Sequence, residues 1–265
     1  MEHFKAASLY FHFPFCKKKC PYCHFYVIPD RDHGPFLEAL EREWDMLQSL
    51  LAGKEIVSVY FGGGTPSLCL EGIEWVLSRV QGQEITVETN PEDVTEEKIA
   101  RLKELGVNRM SIGVQSLSNV LLKTLGREHT ADGAIDAVLK AKNGGIDNIT
   151  IDLMYELPYQ TFELWKETVD RACALPIAHL SLYNLTFEPH TVFKKKEGAL
   201  RPHLPSEEEA AKMLAYACET FEKSGLERYE ISAFARENKR SIHNTGYWQG
   251  RPFLGLGPSA FSFWE

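Results

Sequence analysis

The sequence lacks three features that would place it in broad classes of protein. No apolar run reaches the roughly 18 residues that a membrane-spanning helix needs. Met1–Lys5 do not show the charged-then-apolar order of a signal peptide. Basic residues are scarce, with 29 Lys and Arg against 37 Asp and Glu and a net charge of −8, which argues against nucleic acid as the main partner. We therefore expect a cytoplasmic protein with no transmembrane segment.

Low-complexity tracts and internal sequence repeats are also absent. Hydrophobic residues make up 44% and charged residues 25% of the 265 positions, the balance of a globular protein with its own core. This composition excludes disordered, collagen-like and coiled-coil chains. The length suits one large domain or two small ones and is sufficient for one α/β barrel.

Cysteine is infrequent, but half of the six cysteines fall within eight residues. Cys16, Cys20 and Cys23 form this group, whereas Cys69, Cys173 and Cys218 are scattered and read as small core or helix residues. A chain of this size in a reducing cytosol rarely depends on disulfides. The local group is therefore predicted to bind a metal or a metal cluster.

A strand-then-helix order recurs along the first 225 residues. The candidate strands are Ser8–Phe13, Ile56–Phe61, Ile85–Thr89, Arg109–Val114, Asn148–Met154 and His179–Leu185. The candidate helices are Phe36–Leu51, Gly72–Val80, Thr95–Leu105, Thr130–Lys142, Phe162–Leu175 and Ser206–Ser224. Six such units predict parallel strands with right-handed crossovers, either in an open doubly wound sheet or in a barrel left incomplete at six units. In both folds, ligands bind at the carboxyl ends of the strands.

The pattern changes after Gly225, so we predict a core of residues 1–225 and a short C-terminal extension of residues 226–265. Arg228–Phe234 is predicted as a further strand and Asn238–Gly257 as ordered loop. The aromatic end Phe261–Trp264 would be exposed as it stands, which predicts that a further domain follows it.

The cysteine group has the spacing C-x3-C-x2-C and follows the first strand. Three thiolates suit a [4Fe–4S] cluster in which one iron has no protein ligand. Zinc is the alternative, with His12 or His24 as the fourth ligand. Lys17–Lys19 interrupt the group and either lower the pKa of the thiols or form an ordinary solvated run.

Further candidate residues follow the other strands. Gly62–Thr65 is glycine-rich but matches no phosphate-binding motif, so it reads either as a place of close ligand approach or as a tight turn. The remaining polar candidates are Glu88, Gln115, Arg127 and Asp152. Asp152 lies in an apolar strand and needs either a ligand or an internal ion pair, for which Arg127 is the candidate.

Together these motifs resemble the radical S-adenosylmethionine (SAM) superfamily, and within it the oxygen-independent coproporphyrinogen III oxidase-like family, over Tyr10 to about Ala260. The resemblance implies an incomplete (β/α)6 TIM-type barrel of the radical SAM type, whose open cluster iron is chelated by SAM. It also implies that Tyr10, Gly63 and Glu88 contact SAM. The residues that it places at a second SAM position or nearby are Tyr22, Gly64, Thr65, Gln115, Arg127 and Asp152.

Two branches of that family are separated by local features. The oxidase branch has a further cysteine at the position of Phe25 and a longer N-terminal extension, whereas this chain reaches its first strand at Ser8. The haem chaperone branch usually has Phe there and carries H-N-x-x-Y-W, which His243–Trp248 match. His24 departs from the family, which usually has Asp or a small residue at that position.

The resemblance therefore implies a haem chaperone that binds a [4Fe–4S] cluster, SAM and haem, with an unidentified haem acceptor protein and an electron donor as partners. The alternative is the oxidase, which decarboxylates coproporphyrinogen III to protoporphyrinogen IX. A third alternative is a protein without that chemistry, with a zinc-binding or scaffold role. His243 is either an axial haem ligand or a residue that fixes a loop through hydrogen bonds.

Overall fold

Parallel strands joined by helices dominate the computed structural model, which describes residues 5–264. The strands are β1 (Ala6–Phe13), β2 (Phe15–Cys16), β3 (Ile28–Pro29), β4 (Glu55–Gly63), β5 (Glu84–Thr89), β6 (Arg109–Gln115), β7 (Asn148–Tyr155), β8 (His179–Asn184), β9 (Glu227–Arg228), β10 (Ala233–Ala235) and β11 (Phe253–Leu256). The helices are α1 (Gly34–Leu47), α2 (Leu70–Leu77), α3 (Glu96–Glu104), α4 (Asn119–Thr124), α5 (Ala131–Asn143), α6 (Phe162–Cys173), α7 (Val192–Lys195), α8 (Glu197–Leu200), α9 (Glu207–Lys223) and α10 (Ile242–Trp248).

The main sheet has nine strands in the order β11-β1-β4-β5-β6-β7-β8-β10-β9. Every pair from β11 to β8 is parallel, and the six predicted strands are β1 and β4 to β8. Over the described residues the order has two free ends, so the barrel is open. The incomplete six-unit barrel is thereby confirmed, and the carboxyl ends of its strands share one rim.

Local sequence explains where the main helices begin. Thr95, Thr130 and Ser206 each accept a backbone N–H with the side-chain oxygen, which satisfies a donor that the first helical turn leaves unpaired. Ser206 and Glu209 form a capping box, in which each side chain accepts the backbone N–H of the other residue. The apolar faces of these helices cover the outside of the barrel, where Phe11, Phe61 and Trp165 are fully buried. No helix in the described part of the chain is long and apolar enough to cross a membrane.

The inside of the barrel is polar, unlike the branched aliphatic interior of most complete barrels. At its amino-terminal end, Glu84 and Arg109 form a buried ion pair with a separation of 3.7 Å. Other buried polar side chains of the strands are Ser8, Ser58, Thr86, Ser111, Thr150, His179 and Ser181. Buried polar groups need hydrogen-bond partners, so the element that covers this interior must offer donors and acceptors to it.

Helix α10 is that element and corrects one prediction. Within Asn238–Gly257, predicted to be loop, α10 and β11 form instead. The backbone N–H groups of Ile242 and His243 both donate to the Glu84 carboxylate at 3.0 Å. Ser241 caps the helix locally, because its side-chain oxygen accepts the Asn244 N–H. The Glu84 carboxylate, on a strand about 160 residues earlier, accepts two further N–H groups, and no local pattern reveals that contact.

The predicted extension is continuous with the sheet. The single strand expected over Arg228–Phe234 is two short strands, β9 and β10, and β10 pairs antiparallel with β8. Strand β11 pairs with β1 at the other edge. Residues after 225 therefore complete both edges of the barrel. The sequence also gave no signal for α4, α7 and α8, which are short and lie between barrel strands or before α9.

Candidate functional site

A cavity of about 410 Å³ opens at the carboxyl ends of the strands. Eleven of the thirteen predicted site residues line it: Cys16, Cys20, Tyr22, Cys23, Gly63, Gly64, Thr65, Glu88, Gln115, Arg127 and Asp152. Two do not, namely Tyr10 and His243. Parallel strands bring these positions together because their carboxyl ends meet at one rim.

Cys16 ends β2, and Cys20 and Cys23 lie on the loop between β2 and β3; residues 16–23 are called the cysteine loop below. All three residues are partly buried and line the cavity wall. Among the described residues, their sulfurs are not gathered within 4.8 Å of one another, as a single tetrahedral zinc with bonds of about 2.3 Å would require. His12 is already engaged, since its Nε2 contacts the Tyr26 carbonyl oxygen at 2.8 Å. The donor set thus fits a thiolate-bound cluster and does not fit a mononuclear zinc site.

Burial is the main influence on the protonation of two of these thiols, Cys16 and Cys23. It raises the pKa of Cys16 to about 11, although the hydrogen bond to Thr65 opposes the shift, and it raises the pKa of Cys23 as well. Lys17 is paired with the buried carboxylate of Asp93 at 2.5 Å. Burial therefore favours the neutral thiols of Cys16 and Cys23, and metal ligation has to displace their protons.

Arg127 joins the cysteine loop to the barrel. Its Nη1 donates to Cys20 Sγ at 3.4 Å, and its Nη2 donates to Asn90 Oδ1 at 2.6 Å. Asn90 in turn donates to Thr65 Oγ1 at 2.9 Å, and that hydroxyl lies 3.4 Å from Cys16 Sγ. One hydrogen-bonded chain thus contacts two of the three thiols. Asn90 was not predicted as a site residue, although its position directly after β5, the third of the six predicted strands, could have indicated it.

Arg127 also retains an unused donor. Its Nε is buried without a hydrogen-bond partner, which is unusual for a guanidinium. The side chain lines the cavity, so an anionic or polar ligand there would satisfy this atom. The site residues therefore fit both a cluster on the loop and a polar molecule beside it.

Glycines at the end of β4 allow a close approach of the cysteine-bearing segment. A Cβ on Gly64 would lie 2.5 Å from the Phe15 carbonyl oxygen, and the Gly64 N–H donates to Phe13 at 2.8 Å. Gly63 adopts φ +105°, and a Cβ there would lie 2.6 Å from the His12 ring. The glycines are thus required by packing against residues 12–15, in addition to facing the cavity.

Two partly buried carboxyl groups, those of Glu88 and Asp152, form the floor of the cavity. Glu88 accepts hydrogen bonds from the Tyr60 hydroxyl at 2.7 Å and the Gly63 N–H at 3.2 Å. Burial raises the pKa of Glu88 to about 7, and burial raises that of Asp152 to about 6 against the hydrogen bond from Ser181. A carboxyl in this state holds or releases a proton near neutral pH.

The alternative interpretation of Asp152, an ion pair with Arg127, is wrong. Within residues 5–264, no basic side chain lies within 4.0 Å of the Asp152 carboxylate, and Arg127 points to Cys20 instead. Gln115 ends β6 with φ +65°, a left-handed backbone that is strained for a residue other than glycine. Both residues lie at the cavity wall.

Tyr10 and His243 lie inside the barrel, below the floor. The Tyr10 ring stacks on Tyr60, which in turn holds Glu88. His243 contacts Ser58 Oγ through Nδ1 at 2.9 Å and the Tyr247 hydroxyl through Nε2 at 2.8 Å. Burial lowers its pKa to about 3. Since both ring nitrogens are engaged, the geometry fits the interpretation that His243 fixes its segment, and haem ligation would require the ring to be released.

The rim of the cavity carries an exposed aromatic side chain, that of Phe25. In the sequence this residue served only to separate the two branches of the family. Phe25 lines the cavity with 52% of its surface exposed, and the His24 ring stacks on it. Lys19 holds this segment by donating to the Phe25 carbonyl oxygen at 3.0 Å, and Lys18 is also part of the wall. The rim thus combines an apolar face with positive charge.

Comparison with known proteins agrees with this geometry. A family model described as the radical SAM superfamily matches residues 10–172. The heme chaperone HemW of Lactococcus lactis is 38% identical over 271 residues, which cover 98% of this chain and 70% of that protein. The mitochondrial radical S-adenosyl methionine domain-containing protein 1 of Danio rerio is 38% identical, with 98% and 61% covered.

A solved structure is similar over the same extent. Coproporphyrinogen III oxidase (HemN) from Escherichia coli superimposes with a TM-score of 0.84 and 27% identity, covering 98% of this chain and 65% of that one. The chain thus spans between about three fifths and seven tenths of the length of these relatives. It belongs to the radical SAM superfamily, among the proteins related to HemW and to the oxidase HemN.

Proposed function

We propose that the chain binds a [4Fe–4S] cluster through Cys16, Cys20 and Cys23, binds SAM in the adjoining cavity, and acts in haem transfer. The observation that carries the proposal is the meeting of the three thiols with Arg127 and Glu88 around one cavity. A bound cluster of this kind supplies one electron to the sulfonium group of SAM. The residues that line the cavity determine which molecule binds beside the cluster.

Binding of SAM follows from the polar groups of the cavity. Glu88, which the Gly63 N–H holds in place, offers an acceptor for the ammonium group, and the buried Nε of Arg127 offers a donor for carboxylate or hydroxyl oxygens. Thr65, Gln115 and Asp152 add polar contacts on the walls. Tyr22 and Gly64 complete the lining, while Tyr10 acts one layer below by positioning Tyr60 and hence Glu88.

Haem is the proposed cargo because the rim suits a flat apolar molecule with two carboxylates. The exposed ring of Phe25 presents an aromatic face, and Lys18 lies nearby as a cation for a propionate. An acceptor protein and an electron donor are the further partners of this proposal. His243 has no part in it as a ligand, since its ring is enclosed in the barrel.

The cluster and SAM are tested by anaerobic reconstitution. Iron and sulfide content and SAM binding by equilibrium dialysis are measured for the unaltered chain, for Cys23→Ala and for Cys218→Ala, a matched thiol outside the cavity. We expect four irons per chain, SAM binding that depends on them, and their loss only in Cys23→Ala. Zinc in place of iron, or equal losses in both variants, would overturn this part.

Haem transfer is distinguished from the oxidase reaction by two assays on the reconstituted protein. The similarity to HemN makes the oxidase the second candidate. We expect a stoichiometric change in the haem Soret band, weakened by Phe25→Ser, and no protoporphyrinogen from coproporphyrinogen III. Protoporphyrinogen formation would favour the oxidase, and an unchanged Soret band would refute the haem proposal while leaving the cluster assignment intact.

A further inference from the structure

Three side chains of types that can bind metals lie close together behind the cysteine loop, outside the cavity. His33 precedes α1, Cys69 precedes α2, and Glu71 lies in the first turn of α2. Their ligand atoms all lie within 4.8 Å of one another, and no other such group of three occurs among the described residues. The imidazole Nδ1 of His33 is 2.5 Å from Glu71 Oε1. None of the three lines the cavity or has a role in the function proposed above.

A second carboxylate orients the histidine. His33 Nε2 contacts Asp30 Oδ1 at 2.9 Å. Metal-binding histidines usually donate their other ring N–H to a carboxylate in this way, which fixes the ring and leaves the remaining nitrogen for the metal. Here the remaining nitrogen is Nδ1, which faces Glu71 and Cys69.

A simple ion pair explains only part of this arrangement. A protonated His33 between Asp30 and Glu71 would use both ring nitrogens. It would leave the thiol of Cys69, a fully buried residue whose sulfur belongs to the same group, only as a hydrogen-bond donor to Glu71. A divalent cation accounts for all three atoms, because thiolate, carboxylate and neutral imidazole together carry two negative charges.

We propose that Cys69, Glu71 and His33 form a zinc site in which water completes the coordination. Sulfur, nitrogen and carboxylate oxygen are the ligands that Zn²⁺ takes, and three protein ligands with one open position are an established arrangement. Binding displaces the thiol proton of Cys69 and any proton on His33 Nδ1 into solvent.

The site would anchor the segment that follows the cysteine loop. The backbone N–H of Asp30 donates to the Cys16 carbonyl oxygen at 2.9 Å, and β3 pairs with β2, which contains Cys16. Zinc would connect the segment Asp30–His33 to the start of α2, which follows the glycine-rich turn along the chain. The cysteine loop would thus be held from behind at Cys16, independently of the cluster.

The experiment measures zinc by elemental analysis in the anaerobically reconstituted protein after dialysis. We expect one zinc per chain besides the iron, unchanged in Cys218→Ala and lost in Cys69→Ala and His33→Ala. Asp30→Ala should weaken zinc binding by roughly 10- to 100-fold, because it removes only the orienting carboxylate. Because Cys69 is buried, Glu71→Gln at the surface provides a variant that retains the fold, and it too should lose zinc.

Cobalt identifies the ligands directly. In a chain with Cys16, Cys20 and Cys23 all changed to Ser, added Co²⁺ should give tetrahedral visible bands and a thiolate charge-transfer band that Cys69→Ala abolishes. Substoichiometric zinc in the unaltered protein would overturn the proposal. So would His33→Ala and Glu71→Gln variants that lower the melting temperature without changing the zinc content, since that result assigns an ion pair only.

Discussion

Arg127 donates a hydrogen bond of 3.4 Å to the thiol of Cys20, which lies 107 residues earlier in the chain. The same guanidinium donates to Asn90 and to the Gly113 carbonyl oxygen, so it is held in place by the barrel before it contacts the loop. A rigid, charged donor that contacts a cluster thiol stabilises the thiolate form of that sulfur.

Loss of this donor should weaken cluster retention. We expect Arg127→Gln to reduce the affinity for the cluster by roughly 10- to 100-fold, the usual effect of removing a group that orients a metal ligand. Iron content during chelator challenge measures it. Arg101→Gln is the control, because Arg101 pairs only with exposed glutamates on α2 and α3. Equal iron loss in both variants would contradict the assignment.

Gly64 should tolerate no side chain. A Cβ there would lie 2.5 Å from the Phe15 carbonyl oxygen and 2.9 Å from that of Phe13, and backbone atoms cannot move aside as a side chain can. We expect Gly64→Ala to lower the free energy of unfolding by about 3 kcal/mol, at the upper end for overpacking.

The matched control is Gly198→Ala in α8, where nothing lies within 4 Å of the added carbon. Alanine favours helix over glycine by about 1 kcal/mol, so this variant should be neutral or stabilising. Urea unfolding of both variants gives the comparison. A Gly64→Ala protein as stable as the unaltered chain would mean that the two segments do not approach so closely.

Glu88 should make the chain less stable as the pH rises from about 4.5 to about 7. Burial raises the pKa of this carboxyl from 4.5 to about 7, so between these values the folded chain keeps a proton that the unfolded chain releases. Below pH 4.5 both states are protonated and the contribution vanishes. We expect Glu88→Gln to remove about 1–3 kcal/mol of this pH dependence.

Urea unfolding of the cluster-free chain at several pH values measures this effect. In Glu88→Gln the free energy of unfolding should still fall with pH, but less steeply, since burial also raises the pKa of Asp152, to about 6. The exposed Glu163 lies at the start of α6, and Glu163→Gln should retain the full pH dependence. An unchanged slope in Glu88→Gln would show that Glu88 ionises as it does in water.

His243 should matter for stability and not for haem coordination. His243→Ala removes the partner of the Tyr247 hydroxyl and one of the two partners of the Ser58 hydroxyl, which still donates to Ser8. It also opens a cavity inside the barrel, so we expect the free energy of unfolding to fall by about 2–4 kcal/mol. The Soret band of the haem-loaded protein should keep its position, as measured at a temperature where the variant is folded. A shifted band with unaltered stability would identify His243 as the ligand.

The sequence by itself determined the six strand–helix units, the cysteine loop and most of the cavity wall. Alternating strand and helix signals specify parallel strands, and parallel strands bring their carboxyl ends to one rim. Residues at strand ends, such as Glu88 and Gln115, could therefore be assigned to the cavity without any knowledge of distances. The spacing of the cysteines likewise depends only on neighbouring positions.

Tertiary structure alone decided what lies beneath that rim. Helix α10 begins at the local cap Ser241, but it is bound to β5 because the Glu84 carboxylate accepts two of its first N–H groups. His243 is enclosed because that helix closes the polar interior. Asn90 reaches Thr65, and Arg127 reaches Cys20 instead of Asp152, through side-chain directions that packing sets. Hydrogen bonds between residues far apart in the chain depend on three-dimensional geometry, whereas sequence patterns record only local spacing.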